Sequence, residues 1–169
     1  MTVEVQKRAT LKSVLIVCIS LVFVTACLIG VTLAFSGGMM FAGQRPTNIG
    51  VQAGKLAPCP NTPNCVSSQS LDAQHRIEPL TYKSTPKEAM ANLKKVIQNM
   101  ERTKIITETD NYLYAEFTSK LMGFVDDVEF FLDESAKVIQ VRSASRLGQS
   151  DLGVNRKRIE DIRAQMNAL

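Results

Sequence analysis

Two groups of residues in this sequence are of types that could do chemistry. The first spans the second half of the chain: Glu116, Asp127, Glu129, Arg142, Arg146, Asp151, Arg156 and Arg158, with Ser143 and Ser145 among them. Paired carboxylates at close range can divide a proton between them and serve as acid and base. Arg142 and Arg146 could clamp an anion through forked donors, the two serines adding hydroxyls. Gly148 and Gly153 would let a ligand approach the backbone. The near balance of acids and bases favours a second arrangement, a salt-bridged network that closes the sheet against the last helix. The other group is Cys59 and Cys65, framing CPNTPNC. Pro60, Asn61, Pro63 and Asn64 favour turns that bring the two sulfurs round toward each other. A disulfide is the expected state in an exported domain, closing a small loop for roughly 2 kcal/mol. A redox-switchable pair, a thiolate metal site including His75 and a nucleophilic Cys65 are the competing readings. The spacing matches no recognised metal pattern and is not C-x-x-C, so neither a metal nor a cofactor is expected. His75 itself, beside Arg76, reads as a solvent-facing loop residue. No catalytic serine pattern or phosphate loop accompanies these groups.

Charge narrows the classes further. Lys7, Arg8, Lys12, Arg45 and Lys55 oppose only Glu4 in residues 1–55, which accounts for the whole formal charge of +4. From Leu56 onward 15 Lys/Arg meet 15 Asp/Glu. A neutral domain of this kind does not present a nucleic-acid surface.

The elements that must position these residues follow from periodicity. Thr85-Pro86-Lys87-Glu88 is a helix start with a capping box and proline at the first turn. Ala89, Leu93, Val96, Ile97 and Met100 then share one face as far as Glu101. Residues 104–109 and 112–118 read as strands joined at Asp110-Asn111. Leu113, Ala115 and Phe117 lie on one face; Tyr112, Tyr114 and Glu116 lie on the other. A second hairpin pairs 124–132 with 137–144 around Asp133–Ala136. With Leu132 facing Lys137, Asp127 falls opposite Arg142. Asp126 points where the core should be, which calls for an arginine partner, a position at the sheet end or a bulge. Residues from Val154 onward form a second helix with Ile159, Ile162 and Met166 on its stripe, capped by Ser150, Asp151 or Asn155. Val66–Thr81 is polar and irregular. The folded part is therefore α+β: helix, four antiparallel strands, helix, with both helices on one face of the sheet.

Val14 to Phe35 carries no charge over 22 residues, long enough as a helix to span a bilayer. The organisation expected from this is a cytoplasmic N-terminus over 1–13, a transmembrane anchor over 14–35, a glycine-rich linker over 36–57 and an exported domain over 58–169. Lys7, Arg8 and Lys12 before the span place the domain on the far side. Two other readings also export it: a cleaved signal, or a lipoprotein box at Val24-Thr25-Ala26-Cys27 with Cys27 acylated.

Three motifs, PCPNTPNCVSSQ, EFTSKLMGFVDDVEFFLD and VRSASRLGQSDLGVNRKRIEDIR, resemble domain-of-unknown-function family 1499 over about Leu56–Arg163. Their wording is similar to cyanobacterial members, which implies a thylakoid-lumenal or periplasmic setting for the domain. The resemblance implies no reaction and no catalytic residues.

The function expected is that of a membrane-tethered interaction or assembly domain, with membrane-complex subunits (photosynthetic ones, if the likeness holds) as partners. Its binding face would be the open side of the sheet, where Tyr112, Tyr114 and Phe131 sit between charges. The alternative is an enzyme or small-ligand carrier using Asp127, Arg142 and Arg146.

Overall fold

The computed structural model describes residues 15–30 and 41–169. The chain divides at Gly37 and Gly38 into two units, each taken here by itself.

In the first unit, residues 15–30 form a helix, α1, whose side chains are exposed. Ser20 and Thr25 satisfy their hydroxyls on the carbonyls of Ile16 and Val22, each at 2.9 Å. Among the described residues no helix is long and apolar enough to cross a membrane. The described part of α1 rises about 24 Å, short of a hydrocarbon core of about 30 Å. The expected fold with a transmembrane anchor, and the single-pass localisation drawn from it, are corrected accordingly. Val14 and residues 31–35 of the expected span, like the N-terminus over 1–13, lie outside the described residues. Cys18 and Cys27 are free and exposed on α1.

The second unit is a six-stranded antiparallel sheet with two helices: β1 (Cys65–Ser67), β2 (Leu80–Thr81), α2 (Pro86–Gln98), β3 (Thr103–Glu108), β4 (Tyr112–Thr118), β5 (Val125–Asp133), β6 (Val138–Ser145) and α3 (Val154–Asn167). The sheet order is β1-β6-β5-β4-β3, and β2 also pairs with β6. The four expected strands are present, and two short ones join them. The stretch read as irregular, Val66–Thr81, supplies both, and buries Val66, Ile77 and Leu80 in the core. Strands of three and two residues are too short for an alternation to show in sequence.

The helix-covered face holds the main core. Leu93, Val96 and Ile97 of α2 and Ile159 and Ile162 of α3 meet Leu113, Ala115, Val128, Phe130, Leu132, Ile139 and Val141. The cap of α2 forms as its sequence requires: the Glu88 amide donates to Thr85 Oγ1 at 3.3 Å and the Thr85 amide to Glu88 Oε2 at 3.0 Å. In α3 the N-cap is Gly153, in the left-handed region, and none of Ser150, Asp151 or Asn155 holds that position; Asp151, two residues earlier, accepts from the amides of Gly153 at 3.0 Å and Asn155 at 2.7 Å.

Register differs from expectation by two residues in the second hairpin. Leu132 faces Ile139, so Arg142 lies opposite Glu129 and Asp127 opposite Ala144. The turn keeps its four residues but falls one residue later, over 134–137. Asp133 still pairs with Val138, and its Oδ1 accepts from Ser135 Oγ at 2.6 Å and the Ala136 amide at 3.1 Å. A shift of two leaves every side chain on its expected face. There is no bulge at Asp126; its pairing with both neighbouring strands is continuous.

The second face is not open. Residues 41–57, expected to be part of a linker, lie against it. Leu56 is buried with Tyr112 and Tyr114, and Ile49, Val51, Ile106 and Phe131 pack around them.

Candidate functional site

The alternation of β4, β5 and β6 carries Tyr112, Tyr114, Glu116, Asp127, Glu129, Arg142 and Arg146 to the second face, beneath residues 41–57. Asp127 is 1% exposed and Glu129 0%, so their charges must be met internally. Glu129 accepts from Tyr112 Oη at 2.8 Å, from the Gly50 amide at 2.7 Å and from Arg142 Nη1 at 3.2 Å. Asp127 accepts from Tyr114 Oη at 2.5 Å and takes a bidentate fork from Arg146, Nε at 2.9 Å and Nη2 at 2.7 Å. Arg146 also bonds Glu116. Glu116 is shared with Arg45, whose Nε donates at 2.8 Å and whose guanidinium lies 5.8 Å from the Tyr114 ring centroid.

Three carboxylates thus meet three guanidiniums, and the cluster is neutral. Burial pushes the phenols of Tyr112 and Tyr114 well above their ordinary range, with Glu129 and Asp127 adding to the shift. Burial works to raise the Glu116 carboxyl, but the bonds and charges of Arg146 and Arg45 outweigh it and hold that carboxyl below its ordinary value. Arg146 is raised, chiefly by its bonds to Asp127. Each carboxylate here accepts from at least one guanidinium. Such an arrangement braces a sheet face against its covering segment. One donor is left over: Arg142 Nε is buried and makes no hydrogen bond.

Seven of the residues expected to form a binding surface therefore come together, but under cover. Tyr112 and Tyr114 are buried, which corrects the expectation of an open aromatic face. Asp151 and Arg156 sit elsewhere. Asp151 accepts from the Asn155 amide at the start of α3, and Arg156 donates to the carbonyls of Arg76 at 2.7 Å and Gln74 at 3.0 Å. Arg45, which sequence reading placed in the linker, is the cation that completes the cluster. Its isolation as the one arginine in a glycine-rich stretch was the available signal.

On the helix-covered face a polar corner interrupts the core. Asp126 pairs with Arg158 of α3, whose guanidinium lies 4.8 Å from the Phe117 ring centroid. Arg158 Nη1 donates to Asn155 Oδ1 at 2.6 Å and to Ser143 Oγ at 3.0 Å. Asn155, 0% exposed, donates through Nδ2 to the Asn64 carbonyl at 3.0 Å and to Ser145 Oγ at 2.9 Å. Asn155, by sequence a possible cap, is the hub of this corner.

Cys59 and Cys65 form the expected disulfide, with Cα atoms 5.7 Å apart. His75, expected to face solvent, is 6% exposed, with Nδ1 3.0 Å from the Cys65 carbonyl and Nε2 3.4 Å from Asp72. Among the described residues no group of three or more His, Cys, Asp or Glu is placed to hold a metal ion.

Some large apolar side chains are also left uncovered. The β4–β5 loop closes on itself, the Ser119 amide donating to the Phe124 carbonyl at 2.8 Å and the Phe124 amide to Ser119 Oγ at 3.0 Å. It carries Leu121, 91% exposed, at its tip beside Met122. The β6–α3 turn presents Leu152, 94% exposed. Between these loops is a cleft of about 160 Å³ lined by Phe124, Leu147 and Val154, with Ser119, Asp126 and Ser145 at its polar side. Leu152 has a φ of 54°, a left-handed conformation that costs a non-glycine residue roughly 1 kcal/mol or more. The turn holds it there: the Leu152 amide donates to Ser150 Oγ at 3.2 Å and the next amide to Asp151.

The fold and its internal charge network define an α+β domain with a covered polar face and an uncovered apolar end. The chain belongs to the family described as "Protein of unknown function (DUF1499)", whose model matches residues 55–166. No curated protein matches it in sequence.

Proposed function

We propose that the folded unit is a protein-recognition module serving assembly, and that it docks through the apolar end formed by the β4–β5 loop and the β6–α3 turn. The observation that carries this reading is the presentation of Leu121 and Leu152, almost fully exposed on either side of an apolar cleft. A backbone held in a costly conformation to display a leucine is more than solubility requires. A cleft of about 160 Å³ is of the size to take one large apolar side chain of a partner, the usual form of an interface anchor. Catalysis or ligand transport by Asp127, Arg142 and Arg146 finds less support, because that cluster is neutral and lies beneath residues 41–57.

The double variant Leu121→Asp/Leu152→Asp tests this. Both side chains are exposed, so its thermal midpoint should match that of wild type. In affinity capture from native extract it should lose the proteins that wild type retains in stoichiometric amount. Retention of the same set by the folded variant would overturn the reading.

A further inference from the structure

We propose that the Cys59–Cys65 disulfide is a redox control on this apolar end, transmitted through Asn64 to the β6–α3 turn and the start of α3. The inference rests on the docking reading above, and it concerns the regulation of that same site.

The linkage is a continuous chain of short contacts. Asn64 lies inside the disulfide loop, next to Cys65, and is 3% exposed. Every polar group of its side chain and its carbonyl is engaged. Its Oδ1 accepts from Thr62 Oγ1 at 2.7 Å, within the loop. Its Nδ2 donates to the Gly148 carbonyl at 2.7 Å, in the β6–α3 turn. Its carbonyl accepts from the Ser145 amide and from Asn155 Nδ2 of α3, each at 3.0 Å. Gly148 and Ser145 both line the apolar cleft. Beyond Cys65 the anchoring strand β1 is only three residues long, so the loop contributes much of what holds Asn64 in place.

Access to the bond is one-sided. Cys65 is 1% exposed, whereas Cys59 lines a surface cavity of about 430 Å³ together with Pro58, Asn61 and His75. A thiolate from an external dithiol would attack Cys59 Sγ through that cavity. The Cys59–Cys65 bond breaks, Cys65 leaves as thiolate, and a mixed disulfide forms on Cys59. The donor's second thiolate then attacks its own bridging sulfur and releases Cys59. Two electrons pass, the donor ends as a disulfide, and the leaving thiolates take up protons from solvent. The freed loop loses its closure and Asn64 its fixed position, so the turn that displays Leu152 loses its pre-organisation and the docking site its affinity.

The experiment is hydrogen exchange on the full chain, oxidised and after reduction by a small dithiol, with thiol labelling to confirm that both cysteines are free. Amides of residues 147–155 should exchange at least tenfold faster in the reduced protein, while those of β4 and β5 keep their rates. Asn64→Ala in the oxidised protein should reproduce the same local increase, with the disulfide intact. Unchanged exchange over 147–155 in the reduced, folded protein would overturn the coupling, as would global unfolding on reduction. Faster exchange there with full retention of the captured partner would sustain the coupling and sink the docking reading instead.

Discussion

The two faces of the sheet are buried by different means. The helix-covered face meets α2 and α3 through aliphatic and aromatic side chains, with one polar corner at Asp126, Asn155 and Arg158. The other meets an irregular segment, residues 41–57, through a small apolar cluster around Leu56 and through three carboxylates, two guanidiniums and two phenols, with Arg45 of the segment adding a third guanidinium. A helix supplies its own backbone hydrogen bonds and needs only an apolar stripe to dock. An irregular segment brings unpaired backbone groups, and Glu129 meets one of these at the Gly50 amide. The polar face is thus matched to the kind of chain that covers it.

The sharpest contrast is between single truncations. Phe130→Ala, in the apolar layer at 0% exposure, should cost about 3–5 kcal/mol by lost burial and cavity; urea denaturation would read it. Asp127→Ala should cost about 3 kcal/mol, because it leaves Arg146 short of its main partner in a buried setting. The faces then part company on rescue. Adding Arg146→Met to Asp127→Leu should recover most of that loss, since a buried pair is often replaceable by apolar residues, whereas no polar replacement will rescue Phe130. A double variant no better than Asp127→Ala would mean that the pair has a role beyond bracing.

Acid should act on the polar face first. The Glu116 carboxyl is held below its ordinary value in the fold, so the unfolded chain binds its proton more readily. Its contribution is present above the ordinary 4.5 and is lost as pH falls through the depressed value. Thermal midpoints measured downward from pH 5 should fall less steeply in Glu116→Gln than in wild type. Parallel curves would remove Glu116 from the account. The smallest effect belongs to Arg45→Ala. The Arg45 side chain is half exposed, so its loss should lower the thermal midpoint least of these variants.

Much of the helix-covered face was legible. Pro86 after Thr85, the spacing of Leu93, Val96 and Ile97, and the alternation through Leu113, Phe130 and Val141 each reflect local geometry acting on a long element. The two-residue register shift was not legible. It turns on how Asp133 folds back on Ser135 and Ala136, a contact that sequence spacing does not rank. The short strands β1 and β2 escaped notice because two or three residues carry no period. His75 was misjudged for a related reason: its burial depends on β1 lying against β6.

For the candidate site, the residue types and their shared face followed from the strand period alone, which brings Tyr112, Tyr114, Glu116, Asp127, Glu129, Arg142 and Arg146 to one side. Their pairing did not, since it depends on register and on Arg45, distant in sequence. Nor did their burial. Sequence by itself determined the α+β order, the cap of α2, the disulfide and the family, because each rests on neighbours in the chain. Tertiary structure alone decided that residues 41–57 cover the charged face, and that Leu121 and Leu152 stand exposed on the β4–β5 loop and the β6–α3 turn. Both are outcomes of segments far apart in sequence competing for the same surface, and only the folded chain resolves that competition.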